Sequence, residues 1–380
     1  MAPQPPSVHP VVHAMAERVQ AHLARQHELA RLHEVTPVAP EPDVETIETI
    51  AAAAFWASLR REEGRSPTIS LAFLPPGATV QPLRFERQLP LSPAGLAKLA
   101  PAVERPGIHL GVWRDRGGEF RVWGTTRHLP ALCLVIETVT SGLLVVKRRG
   151  ESLGKFVNVV VLEGDQVKFV PELDAQVAET DDLAPSKLGI DLPSPLARSA
   201  DVLMQLAVSM RAHGRGGALI IVPSGSQAWE ESVVQPVLYA VTPPYAELTT
   251  ILRESEGGAV DRQPDVRRAV DALAGVTAVD GATIISDAFE LLAFGTKIAR
   301  RRGRPQVERV LLTEIVDGSA RVAGALYQIG GTRHLSAAQF VHDQPDSTVL
   351  VASQDGRFTV FRWSPAEGMV RAHRIEALLM

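Results

Sequence analysis

Acidic and proline residues accumulate between Glu172 and Pro195, near the middle of the chain. A stretch of that composition cannot contribute to a core, and such segments mark domain boundaries. A chain of 380 residues is also too long for one typical core. We therefore expect a boundary near Thr180. The division predicted is 1–41 (an N-terminal helix and linker), 42–178 (an α+β N-terminal domain) and 179–380 (an α/β C-terminal domain).

Before that boundary, Val11, Met15, Val19 and Leu23 recur every four residues, with alanines between them, which predicts a helix with a narrow apolar stripe. His9, His13, His22, His27 and His33 decorate it. His9 and His13 have metal-ligand spacing, but no cysteine or carboxylate cluster accompanies them, so the histidines read as a solvated face. Val35 to Pro42 holds three prolines and reads as a linker, and Asp43 to Arg61 reads as a second helix. Eight strand candidates follow: 68–74, 82–87, 108–113, 120–123, 132–139, 142–147, 156–162 and 166–170. Their Gly and Pro punctuation suggests an antiparallel sheet. Ser92 to Leu99 is the one helix among them.

Composition narrows the function. Charged residues make up 22% of the chain, and the net charge of -4 argues against broad nucleic-acid or membrane attraction. The single cysteine, Cys133, sits in an apolar run and reads as buried; it cannot form an internal disulfide. No stretch approaches the ~20 apolar residues of a membrane span. Met1 to Pro10 lacks the apolar stretch of a secretory signal. The expectation is a cytoplasmic protein.

Beyond the boundary, Leu196 to Arg211 reads as a helix stopped by the glycines around Arg215, and Ala218 to Val222 as a buried strand. A helix starts at Pro264, with Val266, Ala269, Val270 and Leu273 on one face and Gly275 closing it. Strands are expected at 283–286, 307–315, 348–353 and 358–363, the last two forming a hairpin with Gly356 in its turn. This half is a mixed sheet flanked by helices.

Two motifs in it carry chemistry. Asp280-Gly281-Ala282 sets a carboxylate beside a glycine, directly ahead of an apolar strand. Gly331-Thr332-Arg333-His334 sets a hydroxyl, a guanidinium and an imidazole in one short turn. Together they offer a nucleotide phosphate a possible metal ligand, close backbone approach and a positive fork. Bland readings stand beside these: Asp280 capping a turn, Arg333 in a structural ion pair, His334 as a core histidine. The basic run Lys297 to Arg304 reads as a solvated loop that could also steer an anion. Thr126-Arg127-His128-Leu129 repeats as Thr332-Arg333-His334-Leu335, but the flanking residues do not match, so we read the echo as coincidence.

In order and context these segments resemble the diadenylate cyclase domain, which joins two ATP molecules into cyclic di-AMP. Gly217-Ala218-Leu219-Ile220, Asp280-Gly281-Ala282, Gly331-Thr332-Arg333-His334 with Ala337, and Ser353-Gln354-Asp355 align with its four motifs. The resemblance runs from about Leu196 to Trp363 and departs where the chemistry lies. Gln354 stands where the family has a metal-binding Glu, Asp355 is offset by one residue, and Leu335 replaces a second arginine. What remains is similar to the non-catalytic, DACNV-like sensor relatives of that domain, which carry a distinct N-terminal domain. Leu143 to Lys147 and Gly154-Lys155-Phe156 fit such a region.

The resemblance implies a second-messenger receptor for cyclic di-AMP, or a related cyclic dinucleotide, with no catalytic residues and no required metal. Its site would comprise Asp280, Gly281, Ala282, Thr332, Arg333, His334, Ser336 and Gln354. A homodimer fits a two-fold symmetric ligand. The alternative is an active diadenylate cyclase, dependent on magnesium or manganese, with Asp355 as rescuing ligand. A third reading is an interaction protein with a dead site.

Overall fold

The computed structural model describes residues 10–61, 67–105, 107–150, 156–170, 199–256, 262–314, 322–326, 329–354 and 356–375. The chain forms two compact units, Met1–Glu172 and Leu173–Leu379. The composition break at Glu172 to Pro195 lies almost wholly outside the described residues, as do Asp355, Gly154 and Lys155. Both units are mixed α/β, with sheets of 8 and 9 strands and seven α-helices among the described residues, two of them leading.

In the first unit, helices α1 (Pro10–Leu32) and α2 (Val44–Ser58) precede strands β1 (Ser70–Phe73) and β2 (Leu83–Pro90), helix α3 (Pro93–Leu99), and strands β3 (His109–Arg114), β4 (Phe120–Thr126), β5 (Leu134–Thr140), β6 (Leu143–Arg149), β7 (Phe156–Glu163) and β8 (Gln166–Phe169). Asp43 caps α2 by accepting the Thr46 N–H at 2.7 Å, and Ser92 caps α3 in the same way. The strand order is β2-β4-β3-β1-β5-β6-β7-β8. The sheet is not wholly antiparallel: β1 and β3 run parallel, because the chain between them crosses over through β2 and α3. The stripe of Met15, Val19 and Leu23 meets Ile47, Ile50 and Ala54 of α2 in a core with Leu71, Leu110, Ile136 and Leu144.

The histidine face around α1 is solvated only in part: His13 and His33 are exposed, and His9 lies outside the described residues. His22 and His27 are buried, and burial pushes the His27 pKa down. The helix presents more of its circumference to the protein than its four-residue stripe suggested. Cys133 is buried as expected, its thiol pushed up to about 12 by burial. Thr126 is buried and bonded to Thr79, and the His128 N–H bonds back to Thr126, so this copy of the echo closes a local turn.

The second unit contains α4 (Ser199–Ala212), β9 (Gly217–Val222), β10 (Tyr239–Tyr245), α5 (Glu247–Glu256), α6 (Gln263–Val276), β11 (Ala282–Ser286), β12 (Leu291–Thr296), β13 (Arg309–Glu314), β14 (Val322–Ala325), α7 (Thr332–Asp343), β15 (Thr348–Ala352), β16 (Phe358–Ser364) and β17 (Met369–Arg374). Its strands are ordered β10-β12-β11-β9-β15-β16-β17-β13-β14. Successive residues of a strand face opposite sides, and here both sides are covered. Leu219, Ile221 and Leu350 pack under α4, α5 and α6, whereas Ala218, Ile220 and Val349 pack under α7. The sheet is therefore apolar throughout at its centre, and polar groups collect at its ends.

Two local expectations need correction. Gly275 does not close α6; it lies inside the last turn, and Thr277 is the C-cap, its N–H reaching Ala274 and Gly275 carbonyls. Gly331 to His334 is not a free-standing turn. Gly331 is the N-cap of α7, and Thr332 begins the helix.

Candidate functional site

The site of the second unit lies where five chain segments come together. β9 and β11 run parallel with Ala218 beside Ala282, so the loop Asp280-Gly281 enters the sheet next to the start of β9. β12 pairs antiparallel with β11, Thr296 opposite Ala282, and leads into Lys297 and Ile298. The N-terminus of α7 and the end of β15 complete the walls. These elements enclose a cavity of about 520 Å³. Its floor includes Ala218 and Ala282, positions where larger side chains would fill the space.

Close backbone approach shapes it. Gly281 has φ of +110°, and a Cβ there would lie 2.5 Å from the Gly295 carbonyl carbon. No L side chain fits both demands. Gly216, at φ +70°, lies under the Arg333 guanidinium: a Cβ would stand 2.8 Å from its Nη1. The glycine loop after α4 thus serves as a bed for that arginine.

The charges in the cavity are unspent. Asp280, Lys297 and Arg333 all line it. Among the described residues none of the three makes an ion pair or a side-chain hydrogen bond. Arg333 is half-buried, and Asp280 and Lys297 are exposed. The N-cap Gly331 offers no side-chain acceptor, so the first N–H groups of α7 lack an internal partner and carry the positive end of the helix dipole. Such an end favours anions. The bland readings of Asp280 as a side-chain cap and Arg333 as an ion-pair residue find no bonds here.

The motif residues divide. Asp280, Gly281, Ala282, Thr332, Arg333, His334 and Ser336 all line the one cavity. His334 does so from a buried position: its ring stands edge-on to Phe361 at 5.9 Å, and Nε2 lies 3.5 Å from the Thr359 hydroxyl. A Cβ on Gly330 would strike that ring, so His334 supports the turn as a core histidine would. Gln354 is not brought in. It is exposed, and its amide donates to the Arg215 carbonyl at 3.2 Å, holding the glycine loop from outside. Lys297 is the contributor least visible beforehand. It starts the basic run, but the rest of that run turns elsewhere, with Arg301 paired to Glu231 at 2.6 Å. Its signal was the preceding strand β12, which would have placed it at a strand end next to Asp280.

The divalent metal implied by the cyclase resemblance fits this donor set poorly. Among the described residues Asp280 is the one carboxylate lining the cavity, and two cationic residues share the space with it. No group of three His, Cys, Asp or Glu side chains suited to a metal occurs among the described residues. Magnesium and manganese favour several oxygen ligands without cations between them.

The chain thus comprises two mixed-sheet units, the second with a charged cavity at its sheet end. Residues 36–127 match the family model described as "Probable sensor domain DACNV". This stretch of the first unit, from ahead of α2 to the end of β4, is a probable sensor domain; the match does not extend over the cavity-lining motifs of the second unit. No curated protein matches the chain. Among solved structures, the crystal structure of "the hypothetical membrane spanning protein from Bacillus cereus" aligns at 16% identity over 47% of this chain, with a TM-score of 0.26. The chain spans 65% of that structure's length, and a likeness so slight carries no argument. No helix among the described residues is long and apolar enough to cross a membrane.

Proposed function

We propose that the second unit is a non-catalytic receptor for cyclic di-AMP or a related cyclic dinucleotide, acting in the cytoplasm beside the sensor domain of the first unit. The observation that carries this reading is the cavity itself, with Arg333, Lys297 and the start of α7 turned toward one space and left without partners. Arg333 can clasp a phosphodiester in bidentate fashion. Thr332 and Ser336 supply hydroxyl donors. Gly281 and Ala282 leave room for close approach. A cyclic dinucleotide bears two negative charges, which this many cations can match without help. A homodimer, presenting two such sites to a two-fold ligand, is the assembly this reading favours.

One observation supports the cyclase alternative. The sensor match covers the first unit only, which leaves the second available as an enzymatic output with Asp280 as a metal ligand. Thermal unfolding of the full chain with cyclic di-AMP or ATP, each with and without manganese, separates the two. A receptor gains about 2.7 kcal/mol at a cyclic di-AMP concentration of 100 Kd, with no pyrophosphate formed from ATP. Pyrophosphate release, or no stabilisation by the cyclic dinucleotide, would count against the receptor.

A further inference from the structure

We infer that Lys297 occupies the role of a divalent ion in this cavity: its ammonium group adds a positive charge to the space that Asp280 also lines, so the pocket takes a phosphodiester without metal and rejects divalent cations. The inference rests on the nucleotide-binding reading of the second unit and names what selects the ligand there.

Its position supports it first. The pairing of Thr296 with Ala282 sets Lys297 alongside Gly281, one residue from Asp280. Gly281 and Gly295 bring the two backbones into contact, since a side chain on either would collide with its surroundings. The lysine is anchored at its base: its carbonyl accepts the Val234 N–H at 2.8 Å, and Ile298 bridges to Val233. Its side chain lines the cavity with no partner among the described residues.

Charge supports it next. Among the described residues, Lys297 and Arg333 stand against the single lining carboxylate Asp280, leaving one net positive side-chain charge plus the helix end. That balance suits a phosphodiester. A nucleoside triphosphate carries more negative charge than it can offset, and a divalent ion would have to sit among cations with one protein carboxylate to hold it. A lysine is a compact point charge with three donors, so it can contact the ligand phosphate and Asp280 together.

The test uses the full chain and two probes. Manganese uptake is read by electron paramagnetic resonance, which needs no nucleotide. The wild type should bind no manganese in this pocket. Lys297→Glu should take up one ion, and Lys297→Glu with Asp280→Asn should lose it. Calorimetry with cyclic di-AMP in EDTA is the second probe. Lys297→Ala should weaken binding about tenfold or more, with no recovery in magnesium. Lys297→Glu should bind poorly in EDTA and regain affinity in magnesium. Lys297 is exposed, so the variants keep the fold, and unchanged thermal midpoints verify that. Wild-type manganese binding abolished by Asp280→Asn, or undiminished affinity in Lys297→Ala, would overturn the inference and leave the receptor standing. Failure of the wild type to bind cyclic di-AMP at all would overturn the receptor reading, and the ligand role of Lys297 with it.

Discussion

Arg333 is the residue on which the cavity depends most. Its guanidinium is half-buried, lies over Gly216 and lacks a protein partner. Arg333→Ala should therefore weaken cyclic di-AMP binding by about 1.5–3 kcal/mol, the worth of a charged hydrogen bond, with little change in unfolding midpoint. Unchanged calorimetric affinity would remove it from the site. Gly281 tests the backbone in the opposite way. Gly281→Ala demands a left-handed Cβ 2.5 Å from the Gly295 carbonyl carbon. We expect a stability loss of about 1–3 kcal/mol by denaturant unfolding, together with lost binding. Asp280, Gly281 and Arg333 were legible because each belongs to a contiguous motif. Lys297 and Gly216 were not, since each reaches the cavity through a neighbouring strand or loop. Gln354 lies outside the cavity lining for a related reason: its amide turns back to the Arg215 carbonyl.

At the scale of elements, α7 does most to define the cavity, and Gly331 sets its start. A Cβ at Gly331 meets nothing within 4 Å, so an aspartate fits and can cap the helix. Gly331→Asp should raise stability by a few tenths of a kcal/mol while lowering cyclic di-AMP affinity, because the new carboxylate meets the phosphate at the helix end. Opposite signs in melting and calorimetry are the signature; parallel losses would mean that the helix end does not face the ligand. Elements with a clear apolar period were readable, α2, α3 and β15 among them, where caps or unbroken apolar runs mark the bounds. Those missed have physical reasons for looking irregular. β10 is an edge strand holding Pro243 and Pro244, tolerable only where one side lacks a neighbour. β12 contains the left-handed Gly295. In β17, buried and half-buried residues alternate at its start, so its sequence is largely polar. The parallel pairing of β1 with β3 was invisible because punctuation reports where strands end, not their direction.

For the whole molecule, one histidine in each unit, His109 buried and His373 half-buried, gives the two units a similar dependence on acidity. His109 in the first unit bonds the Ser70 hydroxyl at 2.7 Å, in a network with Glu137 and Lys147. Burial lowers its pKa from 6.5 to about 4, and burial does the same for His373 in the second. Between those values the unfolded chain binds protons that the folded chain refuses. The stabilisation is complete above about pH 6.5 and is lost as the pH falls toward 4. Denaturant unfolding should show each unit losing about 2 kcal/mol between pH 7 and pH 5 on this account, and His109→Gln should flatten the dependence of the first unit alone. The mixed α/β class was legible in the strand and helix patterns. The DACNV resemblance read from the sequence is borne out by the family match, which falls on residues 36–127, ahead of the Leu143 to Lys147 segment that was fitted to it. The central claim is that the second unit holds a cyclic dinucleotide and does no chemistry on ATP. Calorimetry of the full chain with cyclic di-AMP in EDTA and in magnesium, beside an ATP titration assayed for pyrophosphate, addresses it directly. The account predicts tight binding of the cyclic dinucleotide, equal in both buffers, with ATP left intact. Weak or metal-dependent binding with pyrophosphate released would contradict it and make the second unit a cyclase.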